Sequence, residues 1–251
     1  MQRAPLRTSC AILILVFSSA AVSRAGTVYW NAGTASGNTS PTSSTDVPAT
    51  IAVGPISKGN NQGGEAFNNT VSASSGYTFL LNGVSTSASG GFNFGVDTLV
   101  GTSLDTSTST YFSLTVTPDP GTSFQVASIG FGTRSTDKGA QAWTLRSSLD
   151  SFASDLVVPG TLPNNSSWLY VTADLTTPLA ASTATEFRIY GYNVDGPQSF
   201  TSSTWRIDDI QVQFVPEPST ISILAGTVVL VSWAGLRKRW TRAAHQTPCN
   251  E

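Results

Sequence analysis

Histidine and cysteine are nearly absent from this 251-residue chain, and the few copies sit where they matter least. The one histidine is His245, and the two cysteines are Cys10 and Cys249, all outside the central stretch of residues 26–215. That stretch has no disulfide and no thiol or imidazole chemistry. Ser-His-Asp and Cys-His catalysis, zinc sites and most transition-metal sites are thereby excluded from it. Glutamate is scarce too, with Glu65 and Glu186 the only copies between residues 26 and 215. Cations are few: Lys58, Arg134, Lys138, Arg146, Arg188 and Arg206 face thirteen acids, for a net charge of −7 over the stretch. An acidic exterior repels nucleic acid and anionic lipid, so no nucleic-acid partner is expected. Helical periodicity is also missing, which leaves strands as the material of the fold.

The two ends carry what the middle lacks. Arg3 and Arg7 precede a short apolar core, Cys10 to Phe17, and small residues lead to Ser23-Arg24-Ala25. This is the pattern of a helical signal peptide over residues 1–25, cut by signal peptidase, with a mature start near Gly26. At the other end, Val215-Pro216-Glu217-Pro218-Ser219-Thr220 is held extended by its prolines, which keeps Glu217 accessible. Residues 220–236 are seventeen without a charge, about 25 Å as a helix and enough to cross a membrane with snorkelling at its edge. Arg237, Lys238, Arg239 and Arg242 then stop transfer and hold that end in the cytoplasm, with residues 243–251 as a cytoplasmic tail.

Together the 215–220 motif, the 220–236 span and the 237–242 basic cluster resemble a PEP-CTERM sorting signal, the tripartite tag of certain Gram-negative surface proteins. The resemblance implies an exosortase-like membrane protease as partner. It also implies a protein anchored transiently in the inner membrane and delivered to the cell envelope or extracellular matrix.

Between the ends, period-two alternation marks the strands. Phe112, Leu114 and Val116 alternate with Ser113, Thr115 and Thr117, and Asp119-Pro120-Gly121 makes a turn. Phe124 to Phe131 changes phase between Val126 and Ile129, and Thr204 to Phe214 between Ile207 and Ile210, as bulges would produce. With further strands at residues 51–56, 77–81, 143–146, 168–173 and 186–193, the expectation is one all-β domain over residues 26–214. It is an antiparallel two-sheet sandwich of roughly eight to ten strands. Residues 32–50 read as a long loop. The segments Ile129 to Ser135, Gln141 to Phe152, Phe187 to Tyr192 and Trp205 to Ile210 resemble a recurrent bacterial extracellular jelly-roll module, whose broader relatives include carbohydrate-binding modules.

Three residue sets could carry chemistry. Asp208 and Asp209 are neighbours on a strand, so alternation sends their carboxylates to opposite faces and denies them a joint glycosidase role. One of them could hold a structural calcium, as last-strand aspartates do in the jelly rolls this segment resembles; the plainer reading is a bond to a neighbouring loop or Arg. Glu186 is expected to pair with an Arg, and the four strand arginines to pair with Asp. Among Tyr29, Trp30, Trp143, Trp168, Tyr170, Tyr190, Tyr192 and Trp205, most are expected in the core, while Tyr190 and Tyr192, sharing a face with Arg188, form the candidate glycan platform. The function expected is that of an exported, non-enzymatic surface or matrix protein. The alternatives are an exopolysaccharide-binding module and an Asp-dependent hydrolase.

Overall fold

The structure, a computed structural model, describes residues 26–33, 39–45, 47–60, 67–98, 101–194 and 203–215. The expected signal peptide, Pro216 to Pro218, the expected span at 220–236 and the expected membrane stop at Arg237, Lys238, Arg239 and Arg242 lie outside them, as does Glu65. Among the described residues no helix is long and apolar enough to cross a membrane.

The strands are β1 (Thr27–Trp30), β2 (Ser43–Thr45), β3 (Ile51–Val53), β4 (Ser57–Gly59), β5 (Asn68–Asn69), β6 (Thr78–Leu81), β7 (Val84–Ser87) and β8 (Asn93–Asp97). They continue with β9 (Tyr111–Pro118), β10 (Phe124–Ser135), β11 (Ala142–Ser147), β12 (Gly160–Thr161), β13 (Leu169–Ala181), β14 (Thr185–Tyr192) and β15 (Thr204–Phe214). One antiparallel sheet runs β13-β10-β15-β1-β2, with β8 also on β15 and β5 on β8. The second runs β12-β11-β14-β9-β3, with β4 also on β9. From β8 to β11 the chain crosses from one sheet to the other at each step, and again from β13 to β15, which is the winding of a jelly-roll-like sandwich.

The expected two-sheet sandwich is present, with more and shorter strands than alternation alone indicates. β8 is the clearest addition, since all five of its residues are buried and it shows no alternation. A short β2 interrupts the stretch read as loop. Aromatic side chains bridge the layers: the Phe112 and Trp205 rings meet edge to face at 4.8 Å, and Phe131 and Trp143 at 5.1 Å. Both expected phase changes are register shifts in the ladder, at Val126/Ser128 and at Gly130/Gly132 opposite β15. The domain ends meet where the Phe214 N–H donates to the Gly26 carbonyl at 2.8 Å and Val215 N–H to Gln125 at 2.9 Å.

β6 and β7 form a separate two-stranded hairpin closed by Asn82 and Gly83, both at positive φ, as a tight two-residue turn requires. Phe79 of this hairpin is buried against Tyr29 and Tyr170, so residues 71–91 act as a strap over the outer face of the first sheet.

Candidate functional site

The site grows from a gap in the first sheet. Along one edge of β15, residues Thr204 to Ile207 pair with β8 and Ile210 to Gln213 pair with β1, so Asp208 and Asp209 stand where the neighbour changes. On the other edge Gly130 faces Gln211 and Gly132 faces Asp208, which leaves Phe131 opposite two residues. This is a β-bulge, and Asp209 takes the left-handed conformation there (φ 49°).

The bulge overturns the expectation that the two carboxylates point to opposite faces. An extra residue in the strand cancels one step of alternation, and both side chains converge on Ser89. Its N–H donates to Asp209 Oδ2 at 3.0 Å and its hydroxyl to Asp208 Oδ2 at 3.1 Å. Ser74 donates to Asp208 Oδ2 at 2.6 Å, and the Ala32 N–H to Asp208 Oδ1 at 3.3 Å. Tyr77 donates to Asp209 Oδ2 at 2.6 Å, and Tyr29 to Asp209 Oδ1. Each carboxylate oxygen thus has at least one donor, and the pair is fully buried.

Burial, then the charge of Asp209, pushes the Asp208 carboxyl up to about 7, against the opposing pull of the Ser74 hydrogen bond. The same order of causes holds the Tyr29 and Tyr77 phenols far above their ordinary value, so both remain donors. These surroundings suit an anion: N–H and O–H groups point at the oxygens, and Ala32 contributes its N–H to the pair. They do not fit calcium, which needs converging oxygen ligands where these protons stand. Among the described residues no group of three or more acidic, histidine or cysteine side chains gathers for a metal.

Two glycines floor the aromatic side of the site. A methyl on Gly132 would overlap the Tyr77 hydroxyl, and one on Gly130 would crowd the Tyr170 ring carbons at 3.1 Å. With no side chains there, the tyrosines lie down on the sheet. Tyr77 stands 5.8 Å from Tyr170 and 6.3 Å from Trp168, whose indole N–H donates to the Ser72 carbonyl at 2.9 Å. Tyr77, Trp168 and Tyr170 are each half-buried, which leaves ring surface to solvent. Beside them lies a groove of about 450 Å³ lined by residues 74–78, Ser87 and Ala88. A second groove of about 510 Å³ lies between Trp143, Val158 and Asp174, but the indole it touches is nearly buried.

The platform expected at Tyr190 and Tyr192 is not formed. Tyr190 does share a face with Arg188, which donates to its hydroxyl at 3.2 Å, but it is fully buried. The Arg188 guanidinium lies 4.2 Å over the Tyr111 ring and 3.8 Å over Phe152, covering Tyr190, so that half-buried Tyr192 is left without its expected partner ring. Glu186 pairs with Arg188 at 2.9 Å as expected, and Arg146 with Asp155 at 2.6 Å. Arg134 donates to the Ser166 carbonyl at 2.6 Å, and buried Arg206 donates to Asn93 at 2.9 Å among its contacts. Of the eight aromatics, Tyr29, Trp30, Trp143, Tyr190 and Trp205 are buried as core or cover. Trp168 and Tyr170 were legible as aromatics but not as neighbours of Tyr77; the signal for that was the Gly-Phe-Gly spacing at 130–132 in an otherwise bulky strand.

No family model and no curated protein matches this chain. Solved structures that it resembles include the K1 cleaved adhesin domain of Lys-gingipain from Porphyromonas gingivalis W83, at 10% identity over 74% of this chain and 96% of that one, TM-score 0.36. The family 32 carbohydrate-binding module of NanJ from C. perfringens, solved with galactose, matches at 15% identity over 66% and 94%, TM-score 0.34. The family 11 module from Clostridium thermocellum, solved with a β-1,3-1,4-mixed-linked tetrasaccharide, matches at 12% identity over 76% and 96%, TM-score 0.31. Likeness at this level assigns neither a family nor a ligand.

Proposed function

We propose that this chain is an exported, non-enzymatic surface or matrix protein whose sandwich binds polysaccharide. The observation that carries the binding half is a set of three half-buried rings, with Tyr77 about 6 Å from both Trp168 and Tyr170 and itself lining a groove rich in hydroxyls. Sugar rings present apolar C–H faces that stack on such side chains, and their hydroxyls need polar partners alongside. The hydrolase alternative draws no support from Asp208 and Asp209, which are buried and already hydrogen-bonded on every oxygen. A general acid or nucleophile must reach its substrate.

Export and sorting rest on the terminal sequences, with the exosortase-like protease acting at Pro216-Glu217-Pro218. Two measurements test the whole reading. Full-length protein immobilised from detergent should retain a neutral polysaccharide from a panel, and Trp168→Ala should weaken retention by about tenfold, close to 1.4 kcal/mol. Retention of none would leave a structural surface protein. Intact mass of the native surface pool should show a chain from near Gly26 to near Ser219. Trp240 still attached would reduce the tag to an anchor.

A further inference from the structure

We infer that the groove beside Tyr77 accepts neutral or amine-bearing polysaccharides and rejects uronate and sulfate groups, because Asp208 and Asp209 beneath it draw the Tyr77 and Ser74 hydroxyl protons inward and no cation lines it. The inference rests on the polysaccharide reading above and narrows it to a ligand class.

A hydroxyl has one proton to give. Tyr77 gives its proton to Asp209, and Ser74 gives its proton to Asp208 while accepting the Gly90 N–H at 3.0 Å. Ser89, at the exposed rim, directs both its N–H and its hydroxyl to the same pair. Above about pH 7, where Asp208 too is ionised, what Tyr77 and Ser74 have left for a ligand is therefore lone pairs, above two carboxylates. No Lys or Arg lines the groove among the described residues. A sugar hydroxyl or an ammonium group brings the protons that these acceptors lack. A carboxylate or sulfate brings more acceptors and a like charge into a place with no cation to meet it.

The test uses full-length protein and three probes: a neutral β-glucan, a partly deacetylated chitin and a polyuronate. The wild type is expected to hold the polyuronate at least tenfold more weakly than the other two. Asp209→Asn should narrow that ratio several-fold, since Asn tolerates the left-handed backbone at this position and removes the charge under Tyr77. Asp208→Asn is the second variant, with the same expected direction. Equal retention of polyuronate and glucan by the wild type would overturn the inference while leaving polysaccharide binding intact, as would an unchanged ratio in a folded variant. Retention of none of the three would overturn the polysaccharide reading itself.

Discussion

The outer faces of the two sheets hold similar residues and treat them oppositely. On the second sheet, Arg188 pairs with Glu186 and lies between Tyr111 and Phe152, so charge and rings cover one another and Tyr190 disappears beneath them. On the first sheet Asp208 and Asp209 lie under the strap, and its hydroxyls and N–H groups stand where cations would be expected. Cation compensation is made by one long side chain that also folds over the rings. Hydroxyl compensation requires a whole segment to be brought over the sheet, and that segment carries its own aromatics, some of whose surface stays open.

The comparison breaks most sharply at Gly132. Gly132→Val should displace Tyr77, strip a donor from a buried carboxylate and lift the strap, at a cost of about 4 kcal/mol in denaturant unfolding. A loss below about 1 kcal/mol would mean that the strap is not held through Tyr77.

The next effect is a pH dependence. Below its ordinary value Asp208 is protonated in both folded and unfolded chains. As pH rises from about 4 to about 7 the unfolded chain releases that proton and the native one keeps it, so stability falls, and above about 7 it levels off. The drop should be on the order of 4 kcal/mol, read as the difference between wild type and Asp208→Asn across that range. Tyr29 and Tyr77, the phenols facing the pair, stay protonated throughout it. Parallel curves for the two proteins would refute the assignment.

The smallest effect belongs to the other face. Arg188→Ala removes a half-exposed ion pair and two ring contacts, a loss of about 1 kcal/mol by thermal unfolding. It should also uncover the Tyr190 ring, detectable as new quenching of tyrosine fluorescence by a soluble quencher. A protected Tyr190 in this variant would show that Tyr111 and Phe152 suffice as its cover.

Alternation reveals a strand when one side of it faces the core and the other faces water. β9 and the bounds of β15 were readable for that reason, and so was the bulge, as a change of phase between Ile207 and Ile210. Its consequence for Asp208 and Asp209 was not readable, because counting faces assumes that each residue advances one pleat. β8 was missed because both its faces are covered and Gly95 breaks its run of side chains. Tyr190 was placed on the right face, but its exposure depends on Phe152, delivered by two successive left-handed residues, Ser151 and Phe152, far away in sequence. Tyr77 joins Trp168 across about ninety residues, a contact for which local pattern has no code.

The place of β15 in the first sheet has a bearing on how the chain reaches its shape. β1, β8 and β10 all take β15 as their neighbour, and Thr27 pairs with Gln213. Among the described strands, the one on which three others assemble is thus the last synthesised, and the loop it closes spans nearly the whole domain, which makes closure slow. Until residues 204–214 emerge, the earlier strands have no common template.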